Sequence, residues 1–205
     1  MATVTNSPWK HLLLDALQTN AHLKQSSFFQ LVPSSFSETI GCNGKPANRT
    51  VVFRGFHEGS QKIEIYTDSR SHKVDDLKRC PYGEICWYFT DTWEQFRING
   101  KIEMIDSFNA DPLKLHLREK AWFASSLKSR MQYLGCDPGR PYIVSETPNS
   151  YRLEPTDGPV DTFCLLVLDP EQVDYLNLKG NERVVFRVNP DNPESHEWIV
   201  EKINP

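Results

Sequence analysis

The sequence predicts one domain of the mainly-β or α+β class, in which a small, largely antiparallel β-barrel carries flanking helices. Three observations predict this class. Short strand-like runs recur along the chain, with Gly, Pro, Asn and Asp between them. Most intervals are too short for a crossover helix, so sequential strands are expected to pair antiparallel. The 205 residues, 39% of them hydrophobic, suffice for a single domain over 1–205 with one buried core.

Residues 1–26 predict an N-terminal helix. Ser7 is the expected N-cap, and Pro8 lies in the first turn. The apolar positions that follow form one stripe, made of Trp9, Leu12, Leu13, Ala16 and Leu17. The segment lacks the apolar run of a signal peptide or a membrane span, and a transit peptide would avoid an acid such as Asp15. These features favour a cytoplasmic protein.

The remaining chain predicts strands interrupted by two helices. The predicted strands occupy residues 27–32, 48–55, 61–67, 84–91, 94–105, 162–169, 182–188 and 197–203. One helix is short and polar, around "SHKVDDLKRC", and a longer one starts at Asp111, where Asp-Pro supplies the cap and the first turn. The segment 135–160 is rich in Pro, Gly and Ser and predicts a long loop or lid.

Charge and motif content disfavour several functions. The formal net charge is −4, whereas general nucleic-acid binders and proteins of anionic membranes carry a basic surplus, so neither partner is expected. The five cysteines form no CxxC pair and leave an odd one over, which fits a reducing compartment. The six histidines show no metal-binding pairing, and the chain has no nucleophile elbow and no P-loop. No metal is expected, and any anion site must be local.

The stretch "IYTDSRSHK", residues 65–73, is a candidate for such a local anion site. A predicted strand ends there in hydroxyl groups and cations, and Lys73 lies at the entry to a helix, beside backbone N–H groups. Phosphate is the anion that suits these donors. The alternative is a solvated strand-to-helix turn in which Asp68 and Ser71 act as caps.

Two further strands carry polar side chains with two possible interpretations. Arg49 and Arg54 in "NRTVVFRGF" are either solvated arginines of a sheet strand or guanidinium groups directed at phosphate or carbonyl oxygens. Gln95 and Arg97 are two positions apart and therefore share one face of a strand. The Gln95 amide either faces water or bonds the edge of a heteroaromatic ring.

Four motifs in one order resemble the pyridoxamine 5′-phosphate oxidase family. They are Arg-x-Val-x-x-Arg at 49–54, Tyr-Thr-Asp-x-x-Ser-His-Lys at 66–73, Glu-Gln-x-x-x-x-Gly-Lys at 94–101 and the terminal "EWIVEKINP". The resemblance implies an FMN-binding split β-barrel that forms a homodimer, with FMN held between the two chains. It also implies an oxidase of vitamin B6 metabolism. Such an enzyme converts pyridoxamine or pyridoxine 5′-phosphate to pyridoxal 5′-phosphate by hydride transfer to FMN, and O₂ reoxidises the flavin.

The resemblance also implies two sets of site residues. The cofactor-binding set is Arg49, Thr50, Val51, Val52, Arg54, Tyr66, Thr67, Ser71, His72, Lys73, Gln95 and Arg187. The set that binds the small phosphorylated substrate is Arg54, Arg118 and Arg183. His72 stands where the family has a phosphate-binding arginine, and Arg70 is the alternative source of that charge.

The sequence departs from the family pattern mainly on the substrate side. Val185 replaces an expected histidine, and Leu176 replaces an expected tryptophan. The family binds the substrate phosphate with a Tyr-x-x-x-Arg-x-x-x-Ser motif. Only the arginine of this motif has a counterpart here, which is Arg118. Two alternatives therefore stay open: an FMN-dependent oxidoreductase with another substrate, for example a reductase with a nicotinamide donor, or a non-catalytic protein that binds flavin or B6.

Overall fold

The fold is described from a computed structural model of the 205-residue chain. The described residues are 7–33, 47–141, 152–192 and 197–205. Across these ranges, no helix has both the length and the apolar character needed to cross a membrane.

One curled antiparallel sheet of nine strands forms the body of the protein. The strands are β1 (Phe28–Pro33), β2 (Arg49–Val52), β3 (Gly55–Phe56), β4 (Ile63–Asp68), β5 (Tyr82–Phe89), β6 (Glu94–Ile105), β7 (Phe163–Asn177), β8 (Glu182–Val188) and β9 (Trp198–Ile203). Their order is β2-β1-β5-β6-β7-β4-β3, with β8 paired to β7 and β9 paired to β8. This arrangement confirms the predicted class of a mainly-β sheet with flanking helices.

Two of the predicted strands differ substantially in the structure, whereas the others agree to within two residues at each end. The run 48–55 divides into β2 and β3, because Gly55 has a φ of +142° and breaks the extended backbone. β7 continues well beyond the predicted end at 169, through Pro170. A register shift between Asn99 and Gly100 of β6 lies opposite this proline, and such an irregularity allows a strand to contain proline.

The helices lie outside the sheet. They are α1 (Lys10–Thr19), α2 (His72–Arg79), α3 (Pro112–Ala124) and the short α4 (Leu127–Met131), which was not predicted. Asp111 caps α3 as expected, since its carboxylate accepts from the Leu113 N–H at 2.9 Å. The predicted cap at Ser7 is wrong: α1 begins three residues later, and the Ser7 hydroxyl donates to the Gln61 side chain instead. Residues 142–151 of the predicted lid lie outside the described residues.

Two hydrophobic clusters lie on opposite faces of β7. Cys164, Leu166 and Leu168 point into the main core, which also contains the α1 residues Trp9 and Leu13. The intervening residues of the strand point into a second cluster beneath α3, which contains Phe163, Leu165, Val167, Ile105, Ala121 and Trp122. A strand buried on both faces needs apolar residues at consecutive positions, which explains the uninterrupted run "FCLLVL".

The alternation along β4 separates two neighbouring site residues. Ile63, Ile65 and Thr67 are buried, whereas Glu64 and Tyr66 are partly exposed on the opposite face. Thr67 therefore accepts a hydrogen bond from Lys73 on one side of the strand, whereas Tyr66 lines a cavity on the other side, although the two are adjacent in sequence.

We expect Gly100→Ala to destabilise the fold by about 1–3 kcal/mol or more. A Cβ at this position would lie 2.0 Å from the Asp169 carbonyl oxygen, and a backbone atom cannot move aside. Urea denaturation measures the change. Gly158→Ala is the control, because its Cβ would meet nothing within 4 Å. Equal stability of the two variants would contradict the close approach of β6 and β7.

Candidate cofactor and substrate site

A cavity of about 260 Å³ lies at the N-terminal end of α2. Its walls come from the start of β2, from the turn between β4 and α2, and from the loop after α4. The lining residues are Arg49, Thr50, Ser71, His72, Lys73, Pro138 and Gly139. The structure thus brings five of the predicted cofactor residues together at one opening. We call it the phosphate cavity, for the chemistry of its donors.

Lys73 provides the charge of the phosphate cavity. Its ammonium donates to Thr67 Oγ1 at 2.9 Å and to Ser71 Oγ at 3.1 Å, and it forms no ion pair with a carboxylate in the described part of the chain. Burial, and then the positive charge of Arg49, lower the pKa of Lys73. The ammonium is therefore partly desolvated without a counter-ion, and a bound anion would supply the missing partner.

Arg49 is fixed beside Lys73 by a buried acid. Its Nη2 donates to Asp76 Oδ2 at 2.7 Å, and its Nη1 donates to the Ala47 carbonyl at 3.2 Å. Asp76 is 8% exposed, and its second carboxylate oxygen has no hydrogen-bond partner among the described residues. This pair neutralises much of the Arg49 charge but holds the guanidinium at the cavity wall.

The turn before α2 adds neutral donors. The Ser71 side chain makes no capping hydrogen bond to the helix, and its hydroxyl donates to the Asp68 carbonyl at 2.7 Å. The first-turn N–H groups of α2 are thus not capped by Ser71. With the Ser71 hydroxyl and the Lys73 ammonium, they form a donor set that fits the phosphate of FMN. Of the two caps in the alternative interpretation, Asp68 accepts from the Arg70 N–H at 2.8 Å, whereas Ser71 does not cap.

The structure places His72 and Arg70 differently. His72 lines the phosphate cavity, whereas Arg70 does not. The Arg70 guanidinium instead donates to Asp68, at 3.0 and 2.7 Å, and to Asp137, at 3.0 Å. His72 is exposed but lines the cavity, so its role as the substituted phosphate ligand stays a prediction.

A second cavity, of about 190 Å³, lies between β3, β4 and α3. We call it the Arg54 groove. It is lined by Arg54, Gly55, Phe56, His57, Glu58, Glu64, Tyr66, Leu117, Lys120, Ala121 and Ala124. The Arg54 guanidinium lies 5.2 Å from the centre of the Tyr66 ring. Burial, and then the charge of Glu64, raise the pKa of Tyr66 to about 12, so its hydroxyl stays protonated and can donate.

Two ion pairs at the Arg54 groove were not found from the sequence. Lys120 of α3 pairs with Glu58 at 2.6 Å, and His57 pairs with Glu64 at 2.9 Å. No motif contains these residues, and Lys120 reaches the groove only because α3 packs over β4. The groove therefore contains Lys120 as a cation besides Arg54, and Lys120 is already paired with a glutamate.

Arg118 does not lie where the predicted substrate role requires. It is 4% exposed and donates to the carbonyl oxygens of Phe163 (2.9 Å) and Val160. Desolvation lowers its pKa. The guanidinium therefore anchors α3 to the start of β7, and Arg118 does not line either cavity.

Gln95, Arg183 and Arg187 lie on the sheet, apart from both cavities. Gln95 is opposite Leu176 in the register, and Leu176 is opposite Arg183. Arg183 donates to both carboxylate oxygens of Asp174, at 3.0 and 2.7 Å. Arg187 contacts Gln172 and Glu201. Val51 is buried in the core, and Val52 continues the same strand as Arg49.

Comparison with known proteins identifies the family of this chain. Residues 6–106 match the family model described as pyridoxamine 5′-phosphate oxidase, FMN-binding domain. A relative from Arabidopsis thaliana, pyridoxine/pyridoxamine 5′-phosphate oxidase 2, is 53% identical over 97% of this chain and 98% of its own. Pyridoxine/pyridoxamine 5′-phosphate oxidase from Myxococcus xanthus is 30% identical, over 36% of this chain and 34% of its own.

Solved structures show the same fold. An FMN-binding, pyridoxamine 5′-phosphate oxidase-related protein from Nostoc punctiforme superposes with a TM-score of 0.87 at 38% identity, over 97% of this chain and 98% of its own. PhzG from Burkholderia lata is 14% identical and supports the fold alone, with a TM-score of 0.72 over 100% of this chain and 97% of its own. The chain therefore belongs to the pyridoxamine 5′-phosphate oxidase family of FMN-dependent oxidoreductases and has its split β-barrel fold.

Proposed function

We propose that the protein is an FMN-dependent oxidase that converts pyridoxamine 5′-phosphate and pyridoxine 5′-phosphate to pyridoxal 5′-phosphate, with O₂ as the electron acceptor. The observation that carries the proposal is the Lys73 ammonium, which forms no ion pair within the described ranges and lies in a cavity lined by residues that the family resemblance assigns to FMN. The 53% identity with the Arabidopsis enzyme, over almost the whole of both chains, supports the choice of substrate. A cytoplasmic location is part of the proposal.

In this proposal the phosphate cavity holds the cofactor phosphate. Lys73 supplies the positive charge, and the side chains of Ser71, Thr67 and His72 supply additional polar groups. Asp76 keeps Arg49 oriented. Bound FMN would supply the hydride acceptor and its reoxidation by O₂. The remaining proposed cofactor contacts are Thr50, Val51, Val52, Arg54, Tyr66, Gln95 and Arg187.

The Arg54 groove is the proposed site of the substrate phosphate. The family's tyrosine and serine have no counterpart here, and Arg118 binds backbone carbonyls. Arg54 and Lys120 are then the cations that remain within the groove, and Glu58 competes for Lys120. Because the Lys120–Glu58 pair is exposed, it is weak enough to exchange a carboxylate for a phosphate.

We further propose a homodimer formed through the face of the sheet that carries Gln95 and Arg183. Tyr88, opposite Gln95 in the register, is 46% exposed. Ile199 of β9, opposite Arg187 in the register and thus on the same face, is 48% exposed. A second copy would cover this apolar surface and, as the family pattern implies, bring Arg183 to the substrate and Arg187 to the flavin in a site shared by both chains.

A second candidate function rests on the substrate-side departures. Leu176 and Val185 stand where the family has an aromatic and an imidazole side chain, and neither can donate a hydrogen bond to a substrate. This favours a different substrate on the same flavin site, for example in a reductase that uses a nicotinamide donor. Flavin reduction by NADPH, without oxygen consumption on pyridoxamine 5′-phosphate, would establish it.

We expect Lys73→Ala to weaken FMN binding about tenfold or more, because it removes a charge-assisted contact to the phosphate. A bound dianion would raise the lowered pKa of Lys73. The affinity for FMN should therefore be greatest below the pKa that Lys73 has in the free protein. It should fall as pH rises through the pKa that Lys73 has in the complex. Flavin fluorescence titration from neutral to alkaline pH measures both effects.

Lys73→Arg should reduce this loss of FMN affinity at alkaline pH, because the guanidinium group stays charged. Lys78→Ala, on the exposed side of α2, is the matched control. Unchanged affinity in Lys73→Ala, or release of FAD rather than FMN, would contradict the assignment of the phosphate cavity.

The purified protein should consume oxygen when given pyridoxamine 5′-phosphate. Lys120→Ala should raise KM roughly three- to tenfold with unchanged flavin content, because the groove loses a phosphate-binding cation. Glu58→Gln should lower KM, because it releases Lys120 from its carboxylate. Steady-state oxygen-electrode kinetics measure both changes, with Lys128→Ala as the control. A rise in KM for Glu58→Gln would place the substrate phosphate elsewhere.

Sedimentation velocity should show a dimer. Tyr88→Glu should shift it towards monomer and lower the flavin content, because it buries a carboxylate in the proposed interface. Phe108→Glu is the control: Phe108 is 86% exposed and lies outside the sheet. A wild-type monomer that retains FMN would rule out the shared site.

A further inference from the structure

Arg70 connects two segments that meet at the phosphate cavity. Its Nη1 donates to the Gly135 carbonyl and to Asp137 Oδ1, both at 3.0 Å. Its Nε and Nη2 donate to the two carboxylate oxygens of Asp68, at 3.0 and 2.7 Å. A longer contact of 3.4 Å reaches the Tyr133 carbonyl. One guanidinium thus ties the turn before α2 to residues 133–137.

The residues that follow this tie form a wall of the phosphate cavity. We call residues 133–139 the strap. Pro138 and Gly139 of the strap line the cavity opposite Arg49 and Lys73. Gly139 has a φ of +80°, and a Cβ there would lie 3.3 Å from His72 Nε2. The strap therefore packs closely against His72, and its position determines how that imidazole is held.

The charge of Arg70 is already matched. The hydrogen bond with Asp68 is the main cause that raises the pKa of Arg70, and Asp137 adds to it. Lys73 differs, because its close side-chain partners among the described residues are hydroxyl groups. Arg70 therefore has the bonding of a structural clasp, whereas Lys73 has the bonding of an anion ligand.

We propose that Arg70 is a positioning residue for the cofactor phosphate: it clasps the strap through Asp137 and Gly135, and the clasped strap holds His72 at the phosphate cavity. The inference rests on the proposed cofactor site and does not depend on which substrate the enzyme oxidises. A wall fixed before binding lowers the ordering cost of the complex and slows escape of the phosphate. Arg70 thus controls cofactor retention without touching the cofactor.

The test compares FMN with riboflavin, which has no phosphate. Arg70→Lys keeps the charge but loses the planar fork, so we expect FMN to dissociate roughly tenfold faster. The affinity for riboflavin should stay unchanged, because the strap acts at the phosphate cavity. Asp137→Asn should reproduce the effect, since it weakens the same clasp. Flavin fluorescence after dilution measures the dissociation rates.

The control is Arg140→Ala. Arg140 also pairs with Asp137, at 3.1 Å, but is 77% exposed, so its loss should leave FMN dissociation unchanged. In the apoprotein, Arg70→Lys should speed chymotrypsin cleavage after Tyr133, because the strap is released. This readout is independent of turnover and of flavin, so a failed oxidase assay leaves the inference testable.

Three results would overturn the inference. Unchanged FMN dissociation in Arg70→Lys would show that the clasp is not needed for retention. If Arg70→Lys weakened the binding of FMN and of riboflavin equally and lowered the Tm of the apoprotein, Arg70 would have only a general structural role. If Arg70→Lys lost FMN faster but Asp137→Asn did not, Arg70 would be a direct phosphate ligand.

Discussion

The site depends on one electrostatic constraint: the Lys73 ammonium is partly buried and has hydroxyl groups, not a carboxylate, as its close partners. Each neighbouring arginine, in contrast, has an acid of its own. Asp76 holds Arg49, and Asp68 with Asp137 holds Arg70. Lys73 therefore differs from both of these arginines in having no carboxylate partner within the described ranges, in a chain whose formal charge is −4. This arrangement allows an acidic protein to bind a phosphate ester specifically, without a basic surface.

β7 is the strand that connects the parts of this site. It pairs with β4, β6 and β8, so its register determines where Tyr66, Gln95 and Arg183 lie relative to one another. Its two faces separate the barrel core from the cluster beneath α3. Because both faces are apolar, a one-residue slip would still bury hydrophobic side chains, and the Gly100 contact with Asp169 helps to specify the register.

The substrate side shows how one family residue can keep its identity and change its use. Arg118 matches a phosphate-binding arginine, yet here it binds two carbonyls and anchors α3. Lys120 on the same helix, paired with Glu58, faces the Arg54 groove instead. The match to the Myxococcus xanthus enzyme covers 36% of this chain, whereas the match to the Arabidopsis relative covers 97%. Different residues on the substrate side are consistent with this difference in coverage.

The sequence by itself determined the class of fold, most strand positions, the Asp111 cap and the family, because alternation, capping and motif order are local patterns. It also predicted a phosphate site at Lys73. The tertiary structure decided which cations are paired with a carboxylate. Arg70 pairs with Asp137 across 67 residues, and Lys120 pairs with Glu58 across 62. An ion pair depends on distance in space, and no local pattern encodes contacts so far apart in the chain.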